Sequence, residues 1–333
     1  MRHAADALYQ SIRGLLSALV ALALAACGQG PAETESPPAT ADDTASESVV
    51  VYAAYEDKTY LPALFNEFTH ETGIVVVVRN GEVPGIVDDV IDSRVEPVAD
   101  VLITPSAFGM WRVSEEGELR PNYSELVASN VPEWLRDPDK YWLALGYRQA
   151  EIVYDAAQVD PTGITAYEDL SAESFRRKLC LSTSALAVNR SVIAMLSLKL
   201  GRRDAELAVR GWVANLALPP FETEAALVQA IARGECAVGI ASSGTTAGTR
   251  LGVLVPEAAY VDIEAVGVTR HANNPDGAFE LVDWLVGAQV QQRHAAQTAL
   301  LPVSTDATAS HYVLQVAAGT EEATKLAERA RYR

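Results

Sequence analysis

The apolar positions change rhythm along the chain, and each change marks an element. Residues 15–26 are an unbroken apolar and small-residue run, with Ser17 its only hydroxyl. Residues 28–48 contain no large apolar side chain. From residue 49 the pattern becomes that of a folded body. The run 49–52 reads as a central strand, and Leu61, Leu64, Phe65 and Phe68 recur at the i, i+3, i+4, i+7 spacing of an amphipathic helix stopped by Thr72-Gly73. Residues 74–78 are five β-branched side chains in a row, which predicts a strand covered on both faces. A helix over 84–91 and a strand over 100–104 complete a βαβαβ order, hence a parallel sheet with crossover helices. No G-x-G-x-x-G follows the first strand, which argues against a dinucleotide.

Further along, residues 141–148 and 150–155 are two extended segments joined by a short break, suited to a crossing between lobes. A short strand is expected at 178–181, a helix from about 189 to 200, and a buried strand at 237–241. Residues 260–266 alternate as a strand. Asn274 as cap and Pro275 at the first helical position open a helix whose apolar face is Ala278, Leu281, Val282 and Leu285. Residues 289–298 form another helix, and 319–333 read as a charged terminal helix packed on the surface.

Candidate chemistry sits in the loops that leave the strands, since ligands of open α/β sheets bind at strand carboxyl ends. On one side these loops hold Tyr55 and Asp57, then Thr104 and Ser106. On the other they hold Ser182, Thr183, Ser184 and Asn189, then Ser242, Ser243, Thr245 and Thr246. Successive hydroxyls ahead of a helix make an anion cradle, and Arg148 is the candidate charge partner. The plainer alternatives stay open: Asp57 as a helix cap, 182–184 as an N-cap cluster, and 242–246 as an ordinary connection.

The first 26 residues read as an export signal, because twelve apolar residues are too few for a span of about 20. The run ends Leu24-Ala25-Ala26-Cys27, like a bacterial lipobox, so Cys27 is the expected lipidation site. Residues 27–48, rich in Pro, Ala, Thr, Ser and acidic residues, form a tether that cannot bury enough surface to order itself. The chain has 333 residues and a net charge of −18, which opposes nucleic acid and anionic lipid as partners. Membrane contact is therefore expected through the lipid anchor only. The folded body exceeds one comfortable core, so two lobes are expected. Cys180 and Cys236 meet an oxidising compartment and are expected to pair, two unpaired buried thiols being the alternative.

The segments Leu64-Phe65-Asn66-Glu67-Phe68-Thr69-His70-Glu71-Thr72-Gly73, Ala99-Asp100-Val101-Leu102-Ile103-Thr104 and Gly211-Trp212-Val213-Ala214-Asn215 resemble bacterial extracellular solute-binding proteins of ABC importers. The similarity is greatest to the iron(III)-binding members. It implies an α/β, two-lobed periplasmic-binding-protein fold of type II, each lobe a mainly parallel sheet flanked by helices. It implies a periplasmic monomer, here anchored through the lipobox cysteine, that hands a small ligand to a permease and its ATPase. The implied boundaries are 49–147 with 258–310 for lobe 1, 148–257 for lobe 2, and 311–333 for a C-terminal helix. In that family two adjacent tyrosines after the strand at 237–241 bind iron(III). Here that place reads Ser242-Ser243-Gly244-Thr245-Thr246, and neutral hydroxyls are poor ligands for a hard trivalent cation. Iron(III), alone or chelated, stands as one candidate ligand and a small oxyanion or polar organic solute as the other. A sensory or scaffolding lipoprotein on the same fold is a further alternative. An enzyme is not expected: Ser243 lacks a G-x-S-x-G setting, and no histidine falls in the candidate loops.

Overall fold

The β-branched and amphipathic runs become the expected elements, and their ends are fixed by local chemistry. The computed structural model describes residues 48–333 apart from 56, 93, 257–258 and 304–312. The stretch expected to be an export signal, Cys27, the expected tether up to residue 47 and part of the 53–59 loop thus lie outside the described residues, while Ser48 already belongs to the first strand. What is described falls within one compact unit, Ala41–Arg333.

Strand β1 (Ser48–Ala53) leads to helix α1 (Tyr60–Thr72), which buries Leu61, Leu64, Phe65 and Phe68. Gly73 ends that helix at φ 81°, a left-handed conformation open to glycine, and its N–H closes onto the Thr69 carbonyl. Strand β2 (Val75–Asn80), helix α2 (Val83–Ile91), strand β3 (Val101–Thr104) and helix α3 (Ala107–Glu115) follow. Then come β4 (Leu119–Arg120), α4 (Glu125–Asn130) and the long β5 (Leu143–Tyr154). The second half runs β6 (Leu179–Cys180), α5 (Ala187–Leu200), α6 (Arg202–Asn215), α7 (Glu224–Ala232), β7 (Val238–Ser242) and β8 (Gly252–Leu254). It closes with β9 (Val261–Thr269), α8 (Pro275–Leu285), α9 (Ala288–Thr298) and α10 (Val313–Ala330).

The strands line up as β2-β1-β3-β9-β5-β7-β6, with β4 on β9 and β8 on β5. The fold is the two-lobed type II α/β architecture, with a qualification on strand direction. Parallel pairing holds for β1–β2, β1–β3 and β6–β7, while β9 and β5 join their neighbours antiparallel. The two extended segments expected around residue 149 are one strand. Its first part pairs with β9 up to Gln149↔Val261, and its second part pairs with β7 from Ala150↔Ser242. A bulge between Ala144 and Gly146 shifts the register on the way.

The core divides where β5 changes partner. One cluster gathers Val51, Phe65, Phe68, Leu102, Met110 and Val266. Another gathers Ile152, Val192, Leu196, Trp212, Ile240 and Leu326. In the second, the Trp212 indole N–H donates to the Tyr167 carbonyl (2.9 Å), and Asn215 donates to the carbonyls of Leu170 and Ala172. Gly211 is needed there because a Cβ would stand 2.5 Å from the Ser171 Cβ. The Gly211–Asn215 motif is thus a packing device. Cys180 and Cys236 form a disulfide that ties β6 to the turn before β7, Cα atoms 5.9 Å apart.

Two expectations need correction. Strand β2 is an edge strand with β1 as its single ladder partner, and one of its faces is open to solvent, which leaves Val75 and Val77 nearly half exposed. The terminal helix is not a surface appendage. It starts at Val313, buries Val316, Ala323, Leu326 and Ala327, and packs on α3, α5 and α6. Its stripe of small side chains lets it approach those helices closely. Among the described residues no helix is long and apolar enough to cross a membrane.

Candidate functional site

The change of partner along β5 opens a cavity of about 890 Å³. Its walls are the first turns of α2 and α3, the first turn of α5, the end of β7, the start of α7, and one face of α10. Both core clusters therefore contribute. Arg148 from β5 and Asp262 from β9 meet there because they are register partners in the antiparallel ladder.

Asp262 is the centre of the polar wall. Its residue is 8% exposed. Its Oδ1 accepts from the Tyr260 hydroxyl (3.2 Å) and the Ile263 N–H (3.0 Å), and the Ala107 N–H at the start of α3 also donates to the carboxylate. Burial pushes this carboxyl up to about 6, against the downward pull of Arg148 and these hydrogen bonds. Arg190, in the first turn of α5, feels the same carboxylate. Burial lowers the Arg190 guanidinium from its usual range, and its buried Nε finds no hydrogen-bond partner among the described residues. Arg112 also lines the cavity but is paired with Asp88 at 3.1 Å. Glu224, just inside the Thr223 cap of α7, takes the Ser242 N–H on its Oε1 at 2.6 Å.

Of the residues singled out in sequence, Ser106, Arg148 and Ser242 line this cavity. The others fall elsewhere or are engaged in holding the fold. Thr104 is fully buried and donates to the Ser106 carbonyl (2.9 Å). Ser182 accepts from the Asn189 amide, which also reaches the Thr183 carbonyl. Thr183 caps the Ala185 N–H, and Ser184 donates to the Tyr332 carbonyl. The hydroxyls of 182–184 therefore brace the entry to α5 rather than stand open. Ser243 accepts the Gln149 N–H (3.1 Å), Thr245 donates to the Ser242 carbonyl (2.7 Å), and Thr246 is half-buried beyond the lining. Asp57 is an exposed turn residue whose carboxyl is held low by the Thr59 hydroxyl and N–H. Tyr55 lies against Tyr60, ring centroids 5.9 Å apart, and its buried hydroxyl has no hydrogen-bond partner among the described residues.

Sequence reasoning missed Asp262, Arg190, Glu224 and the α10 face. The available signal was a carboxylate pair, Asp262 and Glu264, inside an otherwise buried apolar strand. Glu264 belongs to a second, closed cluster. Its carboxylate pairs with His294 Nε2, and His294 Nδ1 takes the Tyr60 hydroxyl at 2.7 Å. Burial pushes the Tyr60 hydroxyl up to about 12, so it remains a donor.

As chemistry, the cavity offers the Arg148 and Arg190 guanidinium groups and the Asp262 carboxylate, with Glu224 and the charged face of α10 also in its walls. No tyrosine is among its lining residues. Among the described residues no group of three or more His, Cys, Asp or Glu side chains is placed to hold a metal ion. That donor set suits an oxygen anion better than a bare hard cation.

Residues 96–318 match the family model for bacterial extracellular solute-binding protein. Iron uptake protein A1 of Synechocystis sp. is 28% identical over 287 residues, covering 80% of this chain and 78% of that protein. A putative 2-aminoethylphosphonate-binding periplasmic protein of Salmonella typhi is 24% identical over 299 residues, 82% of this chain and 85% of its own length. Among solved structures, a Trichodesmium protein (IdiA, FutA) in complex with iron and citrate superposes with a TM-score of 0.77 at 26% identity, over 86% of this chain and all of that one.

Proposed function

The chain belongs to the family of bacterial extracellular solute-binding proteins, and from that premise we propose that it captures a small organic anion in the β5–β9 cavity. The family is one of binding proteins for ABC-type import, not of enzymes. Its finer assignment here is our reading. The ligand presents a carboxylate or phosphonate to Arg148 and Arg190, and a permease with its ATPase receives it. The observation that carries this is the Arg148–Asp262–Arg190 group, two cations from different elements converging on one cavity. Guanidinium groups read such anions bidentately, and a partly dry cavity strengthens the contact.

In this reading the lobes are 49–147 with 258–310 and 148–257, and they close on the ligand as a hinge. Helix α10 bears on both, since it packs on α3 as well as on α5 and α6. The body is a monomer in the periplasm, tethered through lipidated Cys27, which rests on the Leu24-Ala25-Ala26-Cys27 motif alone. Iron has a place here as a chelate. The Trichodesmium relative was solved with iron and citrate, and a ferric citrate complex offers carboxylates to arginines without asking for phenolates.

The test is calorimetric titration of the full-length chain with citrate, ferric citrate, phosphate, sulfate and 2-aminoethylphosphonate, repeated on Arg190→Gln. We expect at least one of these to bind, with affinity reduced about tenfold or more in the variant, as loss of a charge-assisted contact dictates. Unchanged affinity in Arg190→Gln removes the site from this cavity.

A further inference from the structure

We propose that Asp262 is a resident counter-anion, competing with the incoming solute anion for Arg148, Arg190 and the N-terminus of α3, and so sets how strongly and at what pH the cleft captures it. This rests on the anion reading of the cavity and deepens it.

The geometry is that of a place already taken. The first N–H of α3, from Ala107, donates to the Asp262 carboxylate. A helix N-terminus is where an external anion would gain from free N–H groups and the helix dipole. Arg148 is the ladder partner of Asp262 and lines the same cavity, as does Arg190 from α5, and both guanidinium groups act on the carboxylate through their charge without closing an ion pair on it. The Tyr260 hydroxyl and the Ile263 N–H complete its shell. Thus the cationic groups that would bind a ligand's anionic group share the cavity with an internal carboxylate. An external anion must share or displace it, and pays the repulsion of a like charge until it does.

Glu224 repeats the arrangement on a smaller scale, filling the Ser242 N–H with its own carboxylate. The remaining charged groups of the cavity are Arg112, held by Asp88, and the α10 residues Glu321, Lys325 and Glu328. Glu321, Lys325 and Glu328 are exposed, so solvent screens them, whereas Asp262 is buried. On the same strand Glu264 is committed to His294 and does not compete. Protonation of Asp262 removes the competitor and leaves both arginines for the solute. Its carboxyl sits near 6 because burial disfavours its charge, so this release falls at mildly acidic pH.

The test is calorimetric titration of the full-length protein and of Asp262→Asn with citrate, ferric citrate, phosphate and 2-aminoethylphosphonate, each at pH 5 and pH 7.5. Asn keeps the shape and removes the charge. We expect the variant to bind tighter than the wild type at pH 7.5 by about tenfold, the gap narrowing at pH 5 where the wild-type carboxyl is protonated. The pH effect is read as the wild-type to variant ratio at each pH, which cancels the proton that the anions themselves gain between pH 7.5 and pH 5. Binding that is equal or weaker in Asp262→Asn at pH 7.5 overturns the resident-anion role while leaving the anion reading standing. No binding of any of the four anions by either protein at either pH overturns the anion reading as well.

Discussion

Asp262 and Glu264 sit two positions apart on β9, both buried, and they have opposite fates. Glu264 faces the α9 side chain His294, which is itself bonded to Tyr60, so the charge is enclosed in a chain of three side chains from three elements. Asp262 faces a cavity, with arginines from β5 and α5 around it and an arginine Nε left without a partner. The lesson is that residue type and burial do not separate a structural carboxylate from a functional one. What separates them is whether the surrounding donors are used up. The closed cluster stabilises the fold. The open one keeps unfilled capacity for a ligand.

The largest effect that can break this contrast is His294→Ala. It strands the Glu264 carboxylate in the core, and removing one partner of a buried pair costs about 3–5 kcal/mol. Urea denaturation should show that loss, with anion binding retained in the protein that remains folded. A loss below 1 kcal/mol would mean the cluster is not closed.

Asp262→Asn should move stability the other way. Its carboxyl stands at about 6, above the ordinary 3.8, so between those values the folded chain holds the proton more tightly than the unfolded one. The contribution of this group to stability is therefore fully present below about pH 3.8 and is lost as pH rises through about 6. Removing the charge is expected to raise stability at pH 7.5 by up to about 3 kcal/mol, and by little at pH 4. Denaturation curves of both proteins at the two pH values check this. A destabilised variant at pH 7.5 would show the carboxylate to be a strut like Glu264.

The smallest effect sharpens the contrast from the closed side. Tyr60→Phe removes one hydrogen bond to His294 and should cost about 1–2 kcal/mol, with no change in the affinity for anions. A change in affinity without loss of stability would place Tyr60, and with it the Tyr55 loop, in the binding machinery.

Much of the architecture was legible because it is written in local periodicity. The spacing of Leu61, Leu64, Phe65 and Phe68 marks α1, and Asn274-Pro275 marks the start of α8, where the Asn274 side chain accepts the Gly277 N–H. Strand β2 misled because five β-branched residues look alike in an edge and in a centre, and position in the sheet is not a local property. Helix α10 misled because its buried stripe, with Ala317, Thr320, Ala323 and Ala327, is made of small side chains that carry little hydrophobic signal.

The site was legible only in part, for a related reason. Arg148, Ser106 and Ser242 stand at strand ends and were found there. Some of the remaining hydroxyls look free in the sequence because their partners are distant in the chain, while Thr104, Thr183 and Thr245 are taken up by backbone groups two or three residues away. The Tyr332 carbonyl that accepts from Ser184 lies 148 residues away, and the Gln149 N–H that donates to Ser243 lies 94 away. Asp262 was hidden by register: its meeting with Arg148 depends on where the β5 bulge falls.

The account turns on which chemistry the cleft offers, and visible absorption on adding ferric ion reads it directly. Full-length protein titrated with iron(III) supplied without a chelator should show no phenolate-to-iron charge-transfer band, since no tyrosine lines the cavity. A saturable band at one equivalent, abolished by Tyr55→Phe, would contradict the account and restore a phenolate-bound metal as the cargo.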